Sequence, residues 1–198
     1  MNLGGILMKD ILYGVKLVIL KELDPTTQEI KASGVTCRVE TAESIELEPV
    51  ISEGKEDLCR SDEKILAVVR TPDLLYGYNL TLKDNAFDPE VASLIEGGKI
   101  KTTGASESAT TSGYDNPMMS EGATMKPFLL EAYVANYEGD SIKNYVKITF
   151  NNCSGKAAKM SLEKAFYAPE FEVKSREATK ASKPIRTIEY VTELPAQA

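Results

Sequence analysis

With 198 residues, 42% of them apolar, the chain has the length of one domain and enough apolar content to bury a core without staples. Its 23 basic and 30 acidic residues leave a net charge of −7, which argues against a general nucleic-acid or acidic-membrane binder. There is no histidine, which removes Ser-His-Asp and Cys-His nucleophiles, histidine-ligated metals and imidazole acid–base catalysis.

The first eight residues lack the basic flank and the long apolar core of a signal peptide, and Met8-Lys9-Asp10 offers a second start that would make residues 1–7 an upstream extension. No apolar run reaches the roughly 18 residues of a membrane span. The expectation is a chain made in a cytoplasm, not exported and not binding membranes. Residues 11–20 are apolar on both faces apart from Gly14 and Lys16, which predicts a central strand, and Asp24-Pro25-Thr26-Thr27 predicts a turn. From Val35 to Glu48 the pattern alternates. Val35, Cys37, Val39, Ile45 and Leu47 fall on one face, and Thr36, Arg38, Glu40, Ser44, Glu46 and Glu48 on the other. This predicts one long or bulged strand, wet on one side, with the shorter strand 64–70 pairing back against it. In residues 75–83, Tyr76, Tyr78, Leu80 and Leu82 alternate with polar residues and glycine.

One helix is expected, over residues 88–96. Asp88 suits the N-cap, Pro89 the first position, Glu90 the positive end of the helix dipole and Gly97 the left-handed stop. Val91, Leu94 and Ile95 form its apolar stripe. Residues 102–126, rich in Ser, Thr and Gly, predict a long loop. A hairpin follows, with strands 128–137 and 142–150 around Glu138-Gly139-Asp140-Ser141, and Asn151-Asn152-Cys153-Ser154-Gly155 predicts another turn. Strands are expected at 157–167, 171–176 and 184–194. The total is about nine strands and one flanking helix in a single domain, residues 1–198. The fold class is mainly β, a β-sandwich or partial barrel with long hairpins, and residues 177–198 form a C-terminal arm or strand.

Chemistry is sparse. Cys37, Cys59 and Cys153 have no C-x-x-C spacing, so no zinc or dithiol site is supported and reduced thiols are expected. The Glu46/Glu48 pair is what any acidic strand produces. Asp84-Asn85-Ala86-Phe87-Asp88 lacks the glycine and the bidentate glutamate of a calcium loop, and Gly97-Gly98-Lys99 ends a helix where a phosphate loop would start one. No catalytic constellation survives and no cofactor or metal is implied. The main electrostatic feature is residues 40–63, where nine acids face only Lys55 and Arg60. That −7 equals the excess of the whole chain.

Several segments carry a family resemblance. Lys64-Ile65-Leu66-Ala67-Val68-Val69-Arg70, Asp73-Leu74-Leu75-Tyr76-Gly77-Tyr78 and Thr81-Leu82-Lys83-Asp84-Asn85-Ala86-Phe87-Asp88-Pro89-Glu90-Val91 come first. Leu94-Ile95-Glu96-Gly97-Gly98, the run from Phe166 to Arg176 and Ile188-Glu189-Tyr190-Val191-Thr192-Glu193-Leu194-Pro195 follow in order. Together they resemble the major tail tube proteins of tailed phages of Gram-positive hosts, over most of residues 8–195. The Ser/Thr-rich loop and the first seven residues do not match the family pattern.

The resemblance implies a virion structural protein, not an enzyme. It would be made in the bacterial cytoplasm and self-assemble into stacked, usually six-membered rings that form a hollow tail for DNA delivery. Its partners would be further copies of itself, the tape measure, the tail-tip or baseplate proteins and the tail terminator, with viral DNA only in transit. If six subunits each supply four strands, the lumen barrel would be roughly 35–50 Å across. An acidic lining would leave DNA mobile, so Thr36, Arg38, Glu40, Ser44, Glu46 and Glu48 are the first lumen-facing candidates, and the 128–150 hairpin is the second. Residues 49–63 and the 102–126 loop are the elements expected to land on the next ring. They offer Glu53, Glu56, Asp57, Tyr114, Pro117, Met118, Met119 and Met125 as stacking candidates. The rival expectation is a β-sandwich binding module, a decoration or adhesin domain of a phage particle.

Overall fold

The computed structural model describes residues 10–104, 110–118, 125–161 and 168–196. Among them are twelve strands and one helix. In chain order these are β1 (Ile11–Glu22), β2 (Thr36–Val39), β3 (Ala42–Ser52), β4 (Glu56–Ser61), β5 (Lys64–Arg70) and β6 (Leu74–Asp84). The helix α1 (Pro89–Glu96) precedes β7 (Lys99–Thr103), β8 (Thr110–Asp115), β9 (Phe128–Glu138), β10 (Ser141–Gly155), β11 (Glu170–Ser175) and β12 (Arg186–Val191). Eight strands form one curled antiparallel system in the order β2-β1-β9-β10-β11-β6-β3, with β12 also on β10; β4-β5 and β7-β8 are separate two-stranded ribbons.

Strand β10 organises this system. It pairs with β9 along one side. On the other side it takes β12 over Tyr145–Phe150 and β11 over Cys153–Gly155. The register slips between Phe150 and Cys153, where a bulge bends the strand. The chain therefore passes from one sheet, β2-β1-β9-β10-β12, into a second, β10-β11-β6-β3. The inner faces of the two enclose one core: Val18, Leu20, Leu130 and Phe150 from the first, Leu80, Leu82, Phe171 and Val173 from the second. Helix α1 adds Val91, Leu94 and Ile95 to that core. The result is a mainly β, sandwich-like partial barrel.

Strand β1 is apolar on both faces for a visible reason. Its outward Leu17 and Ile19, with Tyr133, form a second cluster under Val191 and Leu194. Buried polar groups are paired where they occur. Asn136, 2% exposed, donates to Asp10 and Asn144 at the open end of the core, and the Tyr190 hydroxyl donates to Asp10 at 2.5 Å. Those hydrogen bonds, the one from Tyr190 first, hold the Asp10 carboxyl below its ordinary range.

Helix α1 is capped as the sequence predicts. The Asp88 carboxylate accepts from the Glu90 N–H at 2.8 Å, and Gly97, at φ 81°, closes the other end with its N–H on the Ser93 carbonyl at 3.0 Å. At eight residues the helix is too short to stand alone, so its caps and its packing both matter. Asp88→Ala should cost about 1 kcal/mol and lower the melting temperature by about 2–4 °C, read by calorimetry. An unchanged melting temperature would show that packing alone holds the helix.

Four expectations are corrected. Residues 36–48 are two strands, because the chain turns at Glu40-Thr41: β2 joins β1 in the first sheet, and β3 joins β6 at the edge of the second. The segment 64–70 pairs with β4 instead. The 102–126 region is not simply a loop, since β7 and β8 form a ribbon there. The Tyr114 hydroxyl docks this ribbon by donating to Glu96 at 2.8 Å. Residues 151–155 continue β10 through the bulge, with Cys153 fully buried, so they do not form a turn. Of the expected strand 157–167, only residues 157–161 are described; they hold one isolated bridge, Lys159 to Glu170, and the rest lies outside the described residues.

Candidate functional site

The β3–β6 hairpin does not end where the core ends. Beyond Ser52 and Leu74 it continues as the ribbon β4-β5, in which every residue is exposed. Ten residues of extended chain reach roughly 30 Å. The base of this arm is pinned by backbone: Gly54 donates to the Asp73 carboxylate at 2.7 Å, Lys55 donates to the Thr71 hydroxyl at 2.7 Å, and Thr71 donates to the Lys55 carbonyl at 2.9 Å. Gly54 permits this closure, since a Cβ there would lie 1.8 Å from the Thr71 carbonyl oxygen.

The arm's surface is apolar on both faces. Leu58 pairs with Val68, and Asp57 sits opposite Val69. Leu58, Ile65, Leu66, Val68 and Val69 on the arm, and Ile51, Leu74, Leu75 and Tyr76 on β3 and β6 at its base, are all among the exposed large apolar side chains. Single exposed apolar residues are ordinary, whereas this many on one projecting ribbon mark an interaction surface. Glu53, Glu56 and Asp57, the first stacking candidates, stand on this arm or at its base, all exposed, with Glu56 bound to Arg70 at 2.7 Å. Cys59 is exposed here as well, whereas Cys37 and Cys153 are buried and burial pushes both thiols up to about 12.

The remaining stacking candidates lie elsewhere. Tyr114 is half-buried against Phe87 and committed to Glu96, so it anchors its own ribbon and is not a free landing surface. Burial, ahead of the Glu96 hydrogen bond, raises its phenol well above the ordinary value. Pro117 is half-buried, Met118 and Met125 are exposed, and Met119 lies outside the described residues.

The six lumen candidates do not share one face, because β2 and β3 belong to different sheets. Thr36 and Arg38 stand on the outer face of the first sheet beside Lys21 and Ile19. Arg38 is held there by Glu40 at 2.7 Å and by the Pro195 carbonyl at 2.8 Å. Ser44, Glu46 and Glu48 stand on the outer face of the second sheet, opposite Lys83, Thr81 and Asn79. Glu172 on that face is bound by Lys156 at 2.8 Å and by Lys159, which hold its carboxyl at about 2. Glu46 and Glu48 have no ion pair among the described residues. On the second candidate hairpin, Lys143 pairs with Glu138 at 3.3 Å and Lys147 with Glu189 at 2.5 Å, while Thr149 is buried. Its lysines are therefore neutralised within the chain.

Among the described residues no cluster of Cys, Asp or Glu is arranged to hold a metal, and no helix is long and apolar enough to cross a membrane. No protein-family model matches the chain, and no curated protein matches it.

Proposed function

We propose that this chain is a structural subunit that assembles with copies of itself into stacked rings forming a hollow tube, the tail tube of a phage or phage-like particle. The observation that carries this reading is the arm, a long ribbon with apolar side chains on both faces and no core of its own. Such a ribbon is a liability on a lone subunit and an asset on one whose neighbours cover it. The acidic face of β3, free of internal pairing at Glu46 and Glu48, suits a wall that lets a polyanion slide past. The order of segments that resemble those of tail tube proteins supports the same reading.

Negative-stain microscopy of the concentrated protein is expected to show hollow tubes or rings of uniform width. In parallel, a thiol reagent should label Cys59 alone on the free subunit and lose that site on assembly, while Cys37 and Cys153 react only after unfolding. A chain that stays monomeric by light scattering even with tail-tip proteins added, or particles that leave Cys59 fully reactive, would overturn the proposal.

A further inference from the structure

We infer that copies of this chain join side by side through two different sheet edges, the free edge of β3 in one copy pairing with the free edge of β12 in the next. This rests on the assembly reading above and names the lateral contact within it. Among the described residues each of these strands has a neighbour on one side only, β6 for β3 and β10 for β12. The six residues of β12 match the stretch of β3 before Pro49, which has no N–H to give.

Side chains agree with the backbone. On β12, Ile188 stands opposite Ile148, and Tyr190 opposite the buried Val146. On β3, Leu47 stands opposite the buried Leu80. By the two-residue period all three point toward the core layer, yet Ile188 is 50% exposed, Tyr190 60% and Leu47 40%. They are wet because, among the described residues, no strand lies beyond them. Joining the edges would set Leu47 beside Ile188 and Tyr190 in the layer that already holds Leu80 and Val146, the cross-strand contact that stabilises sheets.

Charge agrees too. Residues 43–53 hold Glu43, Glu46, Glu48 and Glu53 with no base, a net of −4. Residues 174–186, which lead into β12, hold five bases and Glu177, a net of +4. None of those five bases has an ion pair among the described residues. Because the two edges differ, the contact is heterologous and leaves a free edge at each end of a pair, so it continues around a ring where a two-fold contact would stop.

The test blocks one edge at a time. Ile188→Lys and Leu47→Lys each place a core-facing charge on an edge strand, a device that natural sheets use against edge pairing. Both are made in a Val68→Glu, Val69→Glu background, so that the arm contributes nothing. Each variant alone should remain at the 21.7 kDa of the single chain by light scattering, with an unaltered circular dichroism spectrum. Mixed together, they should form a pair of twice that mass and nothing larger, since one joint can form and both outer edges are blocked. Variants that each assemble alone, or a mixture that stays monomeric while the arm-blocked parent associates, would overturn the contact. Tubes formed by the unmodified chain would then still uphold the tube reading. If the unmodified chain shows neither tubes nor rings but the mixture pairs, the contact stands and the tube reading falls.

Discussion

Val68→Glu with Val69→Glu is expected to abolish tubes while leaving the subunit folded. The two residues are neighbours on β5 and so point to opposite faces of the arm, which places a charge on each face. Both side chains are about half exposed or more in the free subunit, at 46% and 62%, so little burial is lost and the stability change should stay within about 0.5 kcal/mol. Against a neighbouring copy the same carboxylates would be buried without partners, a penalty of several kcal/mol per contact repeated at every subunit of a ring. Electron microscopy should show short rings or free subunits where the parent chain is proposed to give tubes. Tubes of normal length would remove the arm from the stacking contact.

The second large effect is on stability. Phe150→Ala should destabilise the fold by about 3–5 kcal/mol, a large part of the roughly 5–15 kcal/mol that holds a domain together. Phe150 is 1% exposed and is the last residue of β10 before the bulge. It faces Leu130 across the sheet and meets the Tyr78 ring edge-on at 5.9 Å, so its side chain fills the angle between the two sheets. A corner defined by backbone hydrogen bonds on three partner strands has little freedom to collapse into the space left behind. The urea midpoint should fall by about 2 M at a slope near 2 kcal/mol per M. A shift under about 0.5 M would mean that the corner repacks.

What could be read from the residues alone was whatever rests on local chemistry. The helix was legible because Asp88, Pro89, Glu90 and Gly97 each have a positional meaning independent of the fold. The β9-β10 hairpin and the two-faced β1 were legible from periodicity. The break at Glu40-Thr41 was not, because the alternation resumes across it with little change of phase and no glycine or proline marks the turn. β4 was missed because Glu56-Asp57-Leu58-Cys59-Arg60-Ser61 has no buried face to create a pattern. β7 and β8 were missed because their composition is that of a loop, and what docks them is a bond between Tyr114 and Glu96, 18 residues apart. The continuation of β10 through Asn151 and Asn152 was hidden by turn-like residues that the bulge accommodates, with the Asn151 side chain donating to the Pro184 carbonyl at 2.8 Å. As for the candidate site, the acidity of residues 40–63 was plain, but its division between two sheets and an arm depends on pairings the sequence does not reveal.

Strand β10 belongs to both sheets, and this governs how the subunit bears load. A pull applied through the arm enters β3 and β6; the hydrogen-bonded route from there to β9 and β1 crosses β11 and the residues of β10 on either side of the bulge, and the covalent route runs through the turn at Glu40-Thr41 into β2. Separating one sheet from the other takes hydrogen bonds from that one strand, which couples the melting of the two halves. A subunit built this way resists the parting of its two sheets at one strand and one turn, a property that would suit the proposed tube wall, which must keep its shape while force passes along it.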